Sequence, residues 1–226
     1  MADAAGNYKQ AFVEFLVRTD ALKFGDFTLK SGRKCPYFLN AGQFYMGSSF
    51  DELTRYYAQA LHNSVEDFDV IFGPAYKGIP LCAGTATALY RDFKVDVGYS
   101  YNRKEAKDHG EGGMLVGAPI TSESKVVIVD DVMTAGTALR ESLDFLKKAG
   151  SPTIAGVLIA VDRMEKGMGE KSAVQEVQDE FGIEVHSVVT LDDIIDVLYG
   201  KPVGGKVYID DEQMRVIKDY RDQYGV

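Results

Sequence analysis

The sequence predicts an α/β fold, in which a mostly parallel central sheet is flanked by helices. Three continuous apolar runs, at residues 70–72, 125–129 and 154–161, have the length and composition of strands that are buried on both faces. Amphipathic stretches of about a dozen residues separate these runs, which is typical of parallel strands joined by helical crossovers. The 46% hydrophobic and 26% charged composition is that of a globular domain and excludes disordered and fibrous chains.

The first part of the chain predicts a helix followed by a pair of short strands. Apolar residues recur at helical spacing over residues 8–19. Residues 28–40 hold two short apolar stretches around the Lys-Ser-Gly-Arg turn at 30–33, which predicts strands on either side of a turn. Ser49 and Glu52 have the spacing of a capping box, and the apolar stripe after them predicts a second helix.

From residue 70 onward, strands and helices alternate. No internal repeat, linker or low-complexity tract interrupts them, so residues 1–226 are predicted to form one domain. The predicted strands are residues 70–72, 95–101, 125–129, 154–161 and 183–189, and the predicted helices are residues 83–90, 137–148, 172–181 and 191–198.

The charge balance restricts the possible partners. The chain carries 25 Lys and Arg against 34 Asp and Glu, a net charge of −9. Because an acidic surface repels polyanions, neither general nucleic-acid binding nor binding to an anionic membrane is expected. Cys35 and Cys82 are too few for a disulfide framework and are expected to be small buried side chains in a reducing compartment. The sequence shows no secretory signal and no apolar stretch of membrane-spanning length, so the expected location is the cytoplasm.

The most informative segment, called the acidic loop below, is the one in which a buried strand ends in Asp130 and Asp131 and a turn of small residues opens a helix. Ligands of parallel α/β sheets bind beyond the carboxyl ends of the strands. Amides at a helix N-terminus bind phosphate, Gly136 lets the backbone approach closely, and adjacent carboxylates can accept hydrogen bonds from a vicinal diol. A plain turn capped by Thr134 or Thr137 would not explain two charges at the end of a buried strand. The segment therefore predicts a sugar-phosphate site.

Two further loops follow strands at the same end of the predicted sheet. Residues 72–80 contain two glycines, two prolines and Lys77, and suit a departing pyrophosphate, although a tight connection with a solvated lysine remains the alternative. This loop lacks the Lys-Ser/Thr pair of a Walker motif. Residues 101–113, called the lid segment below, contain three glycines and balanced charges. They suit either a lid that closes over a reactive intermediate or a solvated hairpin tip.

The acidic loop resembles the signature with which type I phosphoribosyltransferases bind phosphoribosyl pyrophosphate (PRPP): an apolar run, two acids and Thr-x-Gly-Thr. The run Asn-Arg-Lys-Glu-x-Lys-x-His-Gly of the lid segment is similar to the flexible loop of orotate phosphoribosyltransferases, and the similarity covers nearly the whole chain. The resemblance implies the type I phosphoribosyltransferase fold, with a small N-terminal hood over roughly residues 1–45. It also implies pentosyl transfer from PRPP to N1 of orotate, which gives orotidine 5′-monophosphate and pyrophosphate in pyrimidine (UMP) biosynthesis.

The resemblance further implies the site residues. Lys30 would reach the site from the hood, Phe38 and Leu39 would contact orotate through their backbone, and Arg163 would pair with the orotate carboxylate near Thr134. Leu39 stands where relatives carry phenylalanine, which weakens a side-chain role there. The implied PRPP-binding residues are Lys30, Tyr76, Lys77, Arg103, Lys104, Lys107, His109, Asp130, Asp131, Val132, Met133, Thr134, Ala135, Gly136, Thr137 and Ala138. The implied catalytic residues are Lys30, Lys107, His109 and Asp131.

The resemblance also implies a cofactor and a homodimer. Mg²⁺ would be bound mainly through PRPP and water, without direct protein ligands, since this ion usually keeps several of its waters. Arg103, Lys107 and His109 would act in the partner's site, while Lys104 would serve its own.

The residues leave some alternatives open. A guanidinium can hold a planar carboxylate with two hydrogen bonds, but Arg163 could instead form an ion pair with Asp162 or Glu165. Residues 164–171 are expected to form a solvated loop. His62 and His186 are expected on a helix surface and on a strand.

Two other functions fit the same fold. One is a PRPP-sensing regulator without catalysis, which would be expected to carry a DNA-binding extension or a basic face. The other is an enzyme that acts on a purine. Lys30, Phe38 and Arg163 favour a carboxylated pyrimidine instead.

Overall fold

The computed structural model begins with a helix and an antiparallel hairpin, as the sequence predicts. The hairpin pairs Leu22 with Leu39 and Thr28 with Lys34. Gly32, in its turn, has a φ of +83°, which glycine adopts without steric strain. The first elements are α1 (Asn7–Arg18), β1 (Leu22–Thr28), β2 (Lys34–Leu39) and α2 (Gly47–Ser64). The structure describes residues 7–29, 32–107, 113–133, 136–167 and 169–226.

The predicted capping box of Ser49 and Glu52 is wrong. α2 begins at Gly47, and Met46 before it provides no side-chain cap. Ser49 lies inside the first turn, where its hydroxyl donates to the carbonyl of Met46 at 3.1 Å, a local bond that serines readily make. The predicted apolar stripe is confirmed, since its buried members include Leu53, Tyr57, Ala60 and Leu61.

A six-stranded sheet forms the centre of the molecule and confirms the predicted fold class. Its strands are β3 (Val70–Gly73), β4 (Gly98–Lys107), β5 (Gly113–Gly117), β6 (Lys125–Asp130), β7 (Thr153–Asp162) and β8 (Val185–Thr190). They are ordered β5-β4-β3-β6-β7-β8, and all neighbours are parallel except β4 and β5. The carboxyl ends of β3, β6 and β7 therefore lie side by side at one end of the sheet.

The first part of the lid segment lies on β4, which pairs with β5 in an antiparallel hairpin. β4 starts three residues later than the predicted strand and continues through residue 107, and β5 pairs with it antiparallel. The polar residues of this stretch have no apolar periodicity, so the sequence pattern does not reveal the extension. Gly117 has a φ of +103°, and a Cβ there would lie 2.2 Å from the Tyr99 carbonyl oxygen. Residues 108–112 lie outside the described residues.

The remaining elements follow the predicted order. The helix after β3 begins five residues earlier than predicted, and Pro80 is accommodated in its first turn because no intrahelical donor is needed there. The helix predicted at residues 172–181 is confirmed, with Ser172 accepting from the Gln175 amide at 3.0 Å. These elements are α3 (Gly78–Ala88), α4 (Thr137–Ala149), α5 (Ala173–Phe181), α6 (Leu191–Leu198), β9 (Pro202–Val203), β10 (Lys206–Val207) and α7 (Asp211–Tyr224).

Alternate residues of the central strands pack into two cores. Ile71, Val127 and Leu158 face a large core that includes residues of α1, α2, α3, α6 and α7. Phe72 and Ile128 face a smaller core with residues of α4 and α5. Burial of both faces explains why these strands read as continuous apolar runs.

Several smaller predictions are also confirmed. Cys35 and Cys82 are buried thiols without a disulfide. His62 lies exposed on α2, stacked on the Phe93 ring at 4.3 Å between centroids, and His186 lies on β8. Among the helices that the structure describes, none combines the length and the apolar character required to cross a membrane.

Candidate active site

The loops that follow β3 and β6 meet at the carboxyl end of the sheet. Lys77 Nζ lies 2.6 Å from Asp131 Oδ2 in an ion pair between the two loops. The Asp131 side chain is 11% exposed and the Lys77 side chain 67%. The carboxylate is therefore fixed within the site, while the ammonium remains accessible to solvent and ligand.

Backbone and side-chain hydrogen bonds hold the two acids of the acidic loop. Asp130 Oδ1 accepts from the Asp131 amide at 2.8 Å, and Asp131 Oδ1 accepts from the Val132 amide at 3.0 Å. The Tyr57 hydroxyl donates to the Asp130 carbonyl at 2.8 Å. Tyr57 is buried, and burial together with the charges of Asp131 and Asp130 raises its pKa, which keeps this donor protonated.

Asp130 has an unusual acidity for a carboxyl group. Burial raises its pKa to about 6, with the neighbouring Asp131 charge acting in the same direction and its hydrogen bond from the Asp131 backbone opposing. Burial disfavours the ionised form, since the carboxylate loses hydration that one amide and a nearby lysine only partly replace.

The N-terminus of α4 forms the second half of the acidic loop. Gly136 is the cap residue, with a φ of +70°, and a Cβ there would lie 2.8 Å from Arg140 Nη1. Thr137 is the first helical residue, so the interpretation in which its hydroxyl caps the helix is wrong. A cavity of about 320 Å³ adjoins this helix end. Its lining includes Asp130, Val132, Met133, Gly136, Thr137 and Ala138.

The Lys77 loop is a close-packed turn. A Cβ on Gly73 would lie 1.9 Å from the Gly78 carbonyl oxygen, so only glycine fits there. The Gly78 amide donates to the Pro74 carbonyl at 2.9 Å, which closes the turn. The two glycines thus set the path that places Lys77 opposite the acidic loop.

Asn102 connects the lid segment to this turn, a role that the sequence analysis missed. Its Oδ1 accepts from the Ala75 amide at 2.9 Å. Two residues further along β4, Lys104 Nζ lies 4.9 Å from the centroid of the exposed Tyr76 ring. The Asn-Arg-Lys run contained the signal, since Asn102 directly precedes two residues to which the resemblance assigns PRPP binding.

The hairpin of β1 and β2 reaches the same end of the sheet. Leu39 lines a cavity of about 130 Å³ together with Lys77 and Asp131. The Phe38 side chain points to the other face of β2 and stacks on Phe27, with ring centroids 5.5 Å apart. Because successive side chains of a strand alternate, only one of the two residues can line this cavity with its side chain.

Arg163 follows β7 and forms an ion pair with Glu165, one of the two alternatives that the sequence left open. Its Nη2 lies 2.6 Å from Glu165 Oε1, while Asp162 Oδ1 accepts from the Met164 amide instead. The expectation that residues 164–171 form only a solvated loop is wrong, because the Glu165 side chain is 10% exposed and accepts from the Tyr37 hydroxyl at 2.6 Å. The two residues are 128 positions apart, so no local pattern could reveal the contact.

The other predicted residues are placed as follows. Arg103 Nη1 donates to the Gly113 carbonyl at 3.2 Å across the lid segment. The Lys107 backbone pairs with Gly113 in the same ladder, and its side chain is not among those described. The predicted site residues that lie outside the described residues are Lys30, His109, Thr134 and Ala135.

The side chains that could act as metal ligands indicate how Mg²⁺ would bind. The acidic loop supplies two carboxylates to the site, Asp130 and Asp131, and the second is paired with Lys77. Within the described ranges, no three His, Cys, Asp or Glu side chains are grouped closely enough to hold a metal. These residues fit an Mg²⁺ ion whose ligands come mainly from a diphosphate and water.

Comparisons with known proteins agree with this geometry. Residues 43–185 match the phosphoribosyl transferase domain. The chain is 49% identical over 220 residues to the orotate phosphoribosyltransferase of Lachnoclostridium phytofermentans, covering 97% of this chain and 98% of that protein. It is 52% identical over 220 residues to that of Marinobacter nauticus, covering 97% and 99%.

A solved structure shows the same architecture. The crystal structure of orotate phosphoribosyltransferase from Francisella tularensis superposes with a TM-score of 0.83 at 41% identity, covering 96% of this chain and all of that one. Identity at this level over nearly the full length of several relatives, together with the matched domain, establishes family membership and the fold. The chain therefore belongs to the orotate phosphoribosyltransferase family and has the type I phosphoribosyltransferase fold.

Proposed function

We propose that the protein transfers the 5-phosphoribosyl group of PRPP to N1 of orotate, which yields orotidine 5′-monophosphate and pyrophosphate for UMP synthesis. The ion pair between Lys77 and Asp131 carries this proposal. It joins the Lys77 loop, which suits pyrophosphate, to the acidic loop, which suits a sugar phosphate. PRPP contains both groups, so the two loops must lie close together to bind it. The orotate phosphoribosyltransferases to which the chain is 49–52% identical support the choice of orotate.

PRPP would lie across the two loops. Its 5′-phosphate would bind the first-turn amides of α4 beside Gly136 and Thr137, where the helix dipole favours negative charge. Asp130 and Asp131 would accept hydrogen bonds from the ribose hydroxyls. The diphosphate would extend towards Lys77, Tyr76 and the amides of the close-packed turn.

Orotate would bind between the hood and the end of β7. Arg163 would pair with its carboxylate, and the backbone of Phe38 and Leu39 would contact the ring. Thr134 would complete this pocket. The Arg163 guanidinium already lies 5.4 Å from the centroid of the Tyr37 ring, on the strand that carries Phe38 and Leu39. A planar carboxylate fits this charged fork, whereas a neutral purine ring does not.

Catalysis would rest on positioning and on stabilisation of the leaving group. Bond breaking at the anomeric carbon would proceed with inversion through an oxocarbenium-like state, so no protein nucleophile is required. Lys77, Lys30, Arg103 and Lys107 would neutralise charge on pyrophosphate, and His109 would donate a proton or hydrogen bond to it. Asp131 would hold the ribose while positive charge develops. Mg²⁺ bound to the diphosphate would supply further positive charge.

We further propose a cytoplasmic homodimer in which each chain is a single domain with a hood over residues 1–45. Arg103, Lys107 and His109 of the lid segment would act in the partner's site, and Lys104 in its own. The contact between Lys104 and Tyr76 supports the second assignment, since it joins the lid segment to the pyrophosphate loop of the same chain. Two buried thiols without a disulfide suit a reducing compartment.

The direct test mixes the protein with orotate, PRPP and Mg²⁺ and follows the loss of orotate absorbance. We expect turnover with orotate and none with hypoxanthine or adenine. The opposite preference would refute the substrate assignment, and PRPP binding without any turnover would support a regulator. Arg163→Ala is expected to raise the KM for orotate far more than the KM for PRPP, and the reverse order would contradict its role.

A further inference from the structure

Glu165 occupies a position that the proposed chemistry does not yet use. Its carboxylate lies between the hood and the end of β7 and is nearly buried. It accepts hydrogen bonds from the Tyr37 hydroxyl and from Arg163 Nη2, both at 2.6 Å, and Arg33 Nη2 lies 3.5 Å away. Three donors from two separate parts of the chain therefore converge on one carboxylate.

The Arg163 guanidinium is held through one of its terminal nitrogens. Nη2 bonds to Glu165 and lies 3.5 Å from Cys35 Sγ. Nε is enclosed by the protein, and within the part of the chain that the structure describes it has no hydrogen-bond partner. Because arginine carries five N–H donors, the charge-assisted bond from Nη2 to Glu165 orients the guanidinium and leaves other donors for a ligand.

We propose that Glu165 is a positioning residue that fixes the rotation of the Arg163 guanidinium, so that the guanidinium is held in the orientation in which it pairs with the carboxylate of orotate. The inference rests on the proposed function. A guanidinium pairs with a carboxylate through two parallel hydrogen bonds, and this geometry requires the correct rotation of the plane. Glu165 sets that rotation through its bond to Nη2, and thereby contributes to selectivity for a ring that carries a carboxylate.

The backbone around Glu165 is held independently of its side chain. The Lys166 amide donates to the Tyr224 carbonyl at 2.8 Å, and the Val226 amide donates to the Met164 carbonyl at 3.1 Å. Asp162 also accepts from the Met164 amide at 2.8 Å. These bonds remain when the Glu165 side chain is changed, so a substitution there tests the carboxylate rather than the loop.

The experiment compares Glu165→Gln with Glu170→Gln, a matched control on the same loop whose side chain is 92% exposed. We expect Glu165→Gln to raise the KM for orotate about tenfold, equivalent to about 1.4 kcal/mol, while the KM for PRPP changes less than about twofold. The ratio of kcat/KM for orotate over uracil, the same ring without the carboxylate, should fall by a similar factor. The control should change none of these values.

Two further variants distinguish a positioning role of Glu165 from a loss of folding or of local structure. Tyr37→Phe removes one donor to Glu165 and should raise the orotate KM by a smaller factor, about threefold. In an Arg163→Ala background, Glu165→Gln should have no further effect on orotate, because the group that it positions is gone.

Three results would overturn the inference. The first is an orotate KM that does not change in Glu165→Gln or in Tyr37→Phe. The second is an equal rise in the KM values for orotate and PRPP in Glu165→Gln, with a lowered Tm, and the third is that the effects of Glu165→Gln and Arg163→Ala are additive. Failure of the unmodified protein to turn over orotate would instead refute the proposed function, and this outcome is distinguished before any variant is made.

Discussion

Asp130, which is half-buried, shows how a residue with a proposed role in binding can lower stability. Its pKa is raised to about 6 in the folded chain by burial, against an ordinary value of 3.8. Between pH 3.8 and about pH 6, this carboxyl group is therefore protonated in the folded state and ionised in the unfolded state. Stability from this group is present at low pH and is lost as the pH rises through about 6. At neutral pH the ionised carboxylate is retained at a cost, as expected for a ligand-binding group.

Asp130→Asn should therefore stabilise the protein near pH 8 while weakening PRPP binding. We expect a gain of about 1–3 kcal/mol in the free energy of unfolding, since the buried charge is removed, and no gain at pH 4. Denaturant unfolding at the two pH values measures this difference. A variant that is equally stabilised at both values would show that the charge is not the cause.

The same residue should also impose a pH dependence on PRPP binding. As the pH falls below about 6, protonation of Asp130 removes an acceptor for the ribose, so the KM for PRPP should rise. Asp130→Asn provides the control. PRPP itself still titrates when it is assayed with this variant, but residue 130 no longer does. Identical pH profiles for the two proteins would contradict the assignment.

Asn102 allows a second test at the level of one side chain. Asn102→Ala removes the acceptor of the Ala75 amide and should raise the KM for PRPP by about fivefold to tenfold, because the turn around Lys77, the proposed diphosphate site, loses its link to β4. Asn102→Asp keeps an acceptor at the same place and should retain most of the affinity. Steady-state kinetics with varied PRPP measure both, and equal losses in the two variants would refute the positioning role.

The turn between β3 and α3 illustrates how an element boundary is set by backbone packing. Its two glycines contact each other closely, with Gly78 N also bonded to Pro74 O. An added methyl group would overlap the backbone and not a movable side chain. The turn must therefore open, or β3 and α3 must separate, when a side chain is introduced.

Gly73→Ala should lower the free energy of unfolding by about 3 kcal/mol or more and abolish PRPP binding, because its Cβ would lie 1.9 Å from Gly78 O. Gly47→Ala is the matched control, since a Cβ at Gly47 meets nothing within 4 Å. This control should leave the Tm unchanged or slightly raised, as expected for alanine in a helix. Thermal unfolding compares the two, and a similar Tm for both would contradict the packing argument.

At the scale of the whole molecule, the proposed sharing of sites between subunits can be measured directly. Lys107→Ala and Asp131→Asn chains should each be nearly inactive. After mixing in equal amounts and exchange of subunits, half of the dimers pair one chain of each kind and contain one intact site. About a quarter of the original activity should return. No recovery, despite heterodimers demonstrated by mass, would show that Lys107 acts in its own chain.

Sequence patterns predicted most of this architecture because they report local burial. The runs at β3, β6 and β7 are apolar on both faces, and the two acids at the end of β6 stand out against them. The continuation of β4 from residue 101 to residue 107 was not predicted, since the polar residues there have no periodic apolar face. Glu165 was missed because its environment depends on Tyr37, which packs against it only in the folded chain.

The ion pair between Lys77 and Asp131 also has a consequence for the proposed turnover. A ribose hydroxyl that approached Asp131 would compete with the ammonium group already in contact with it, so binding would exchange one partner of the carboxylate for another. Because Lys77 is largely solvated, this exchange would cost little, and the displaced ammonium would be released beside the diphosphate. When pyrophosphate left, the same lysine would return to Asp131. Lys77 would thus act as an exchangeable counterion, which would limit the charge imbalance that otherwise retains the product.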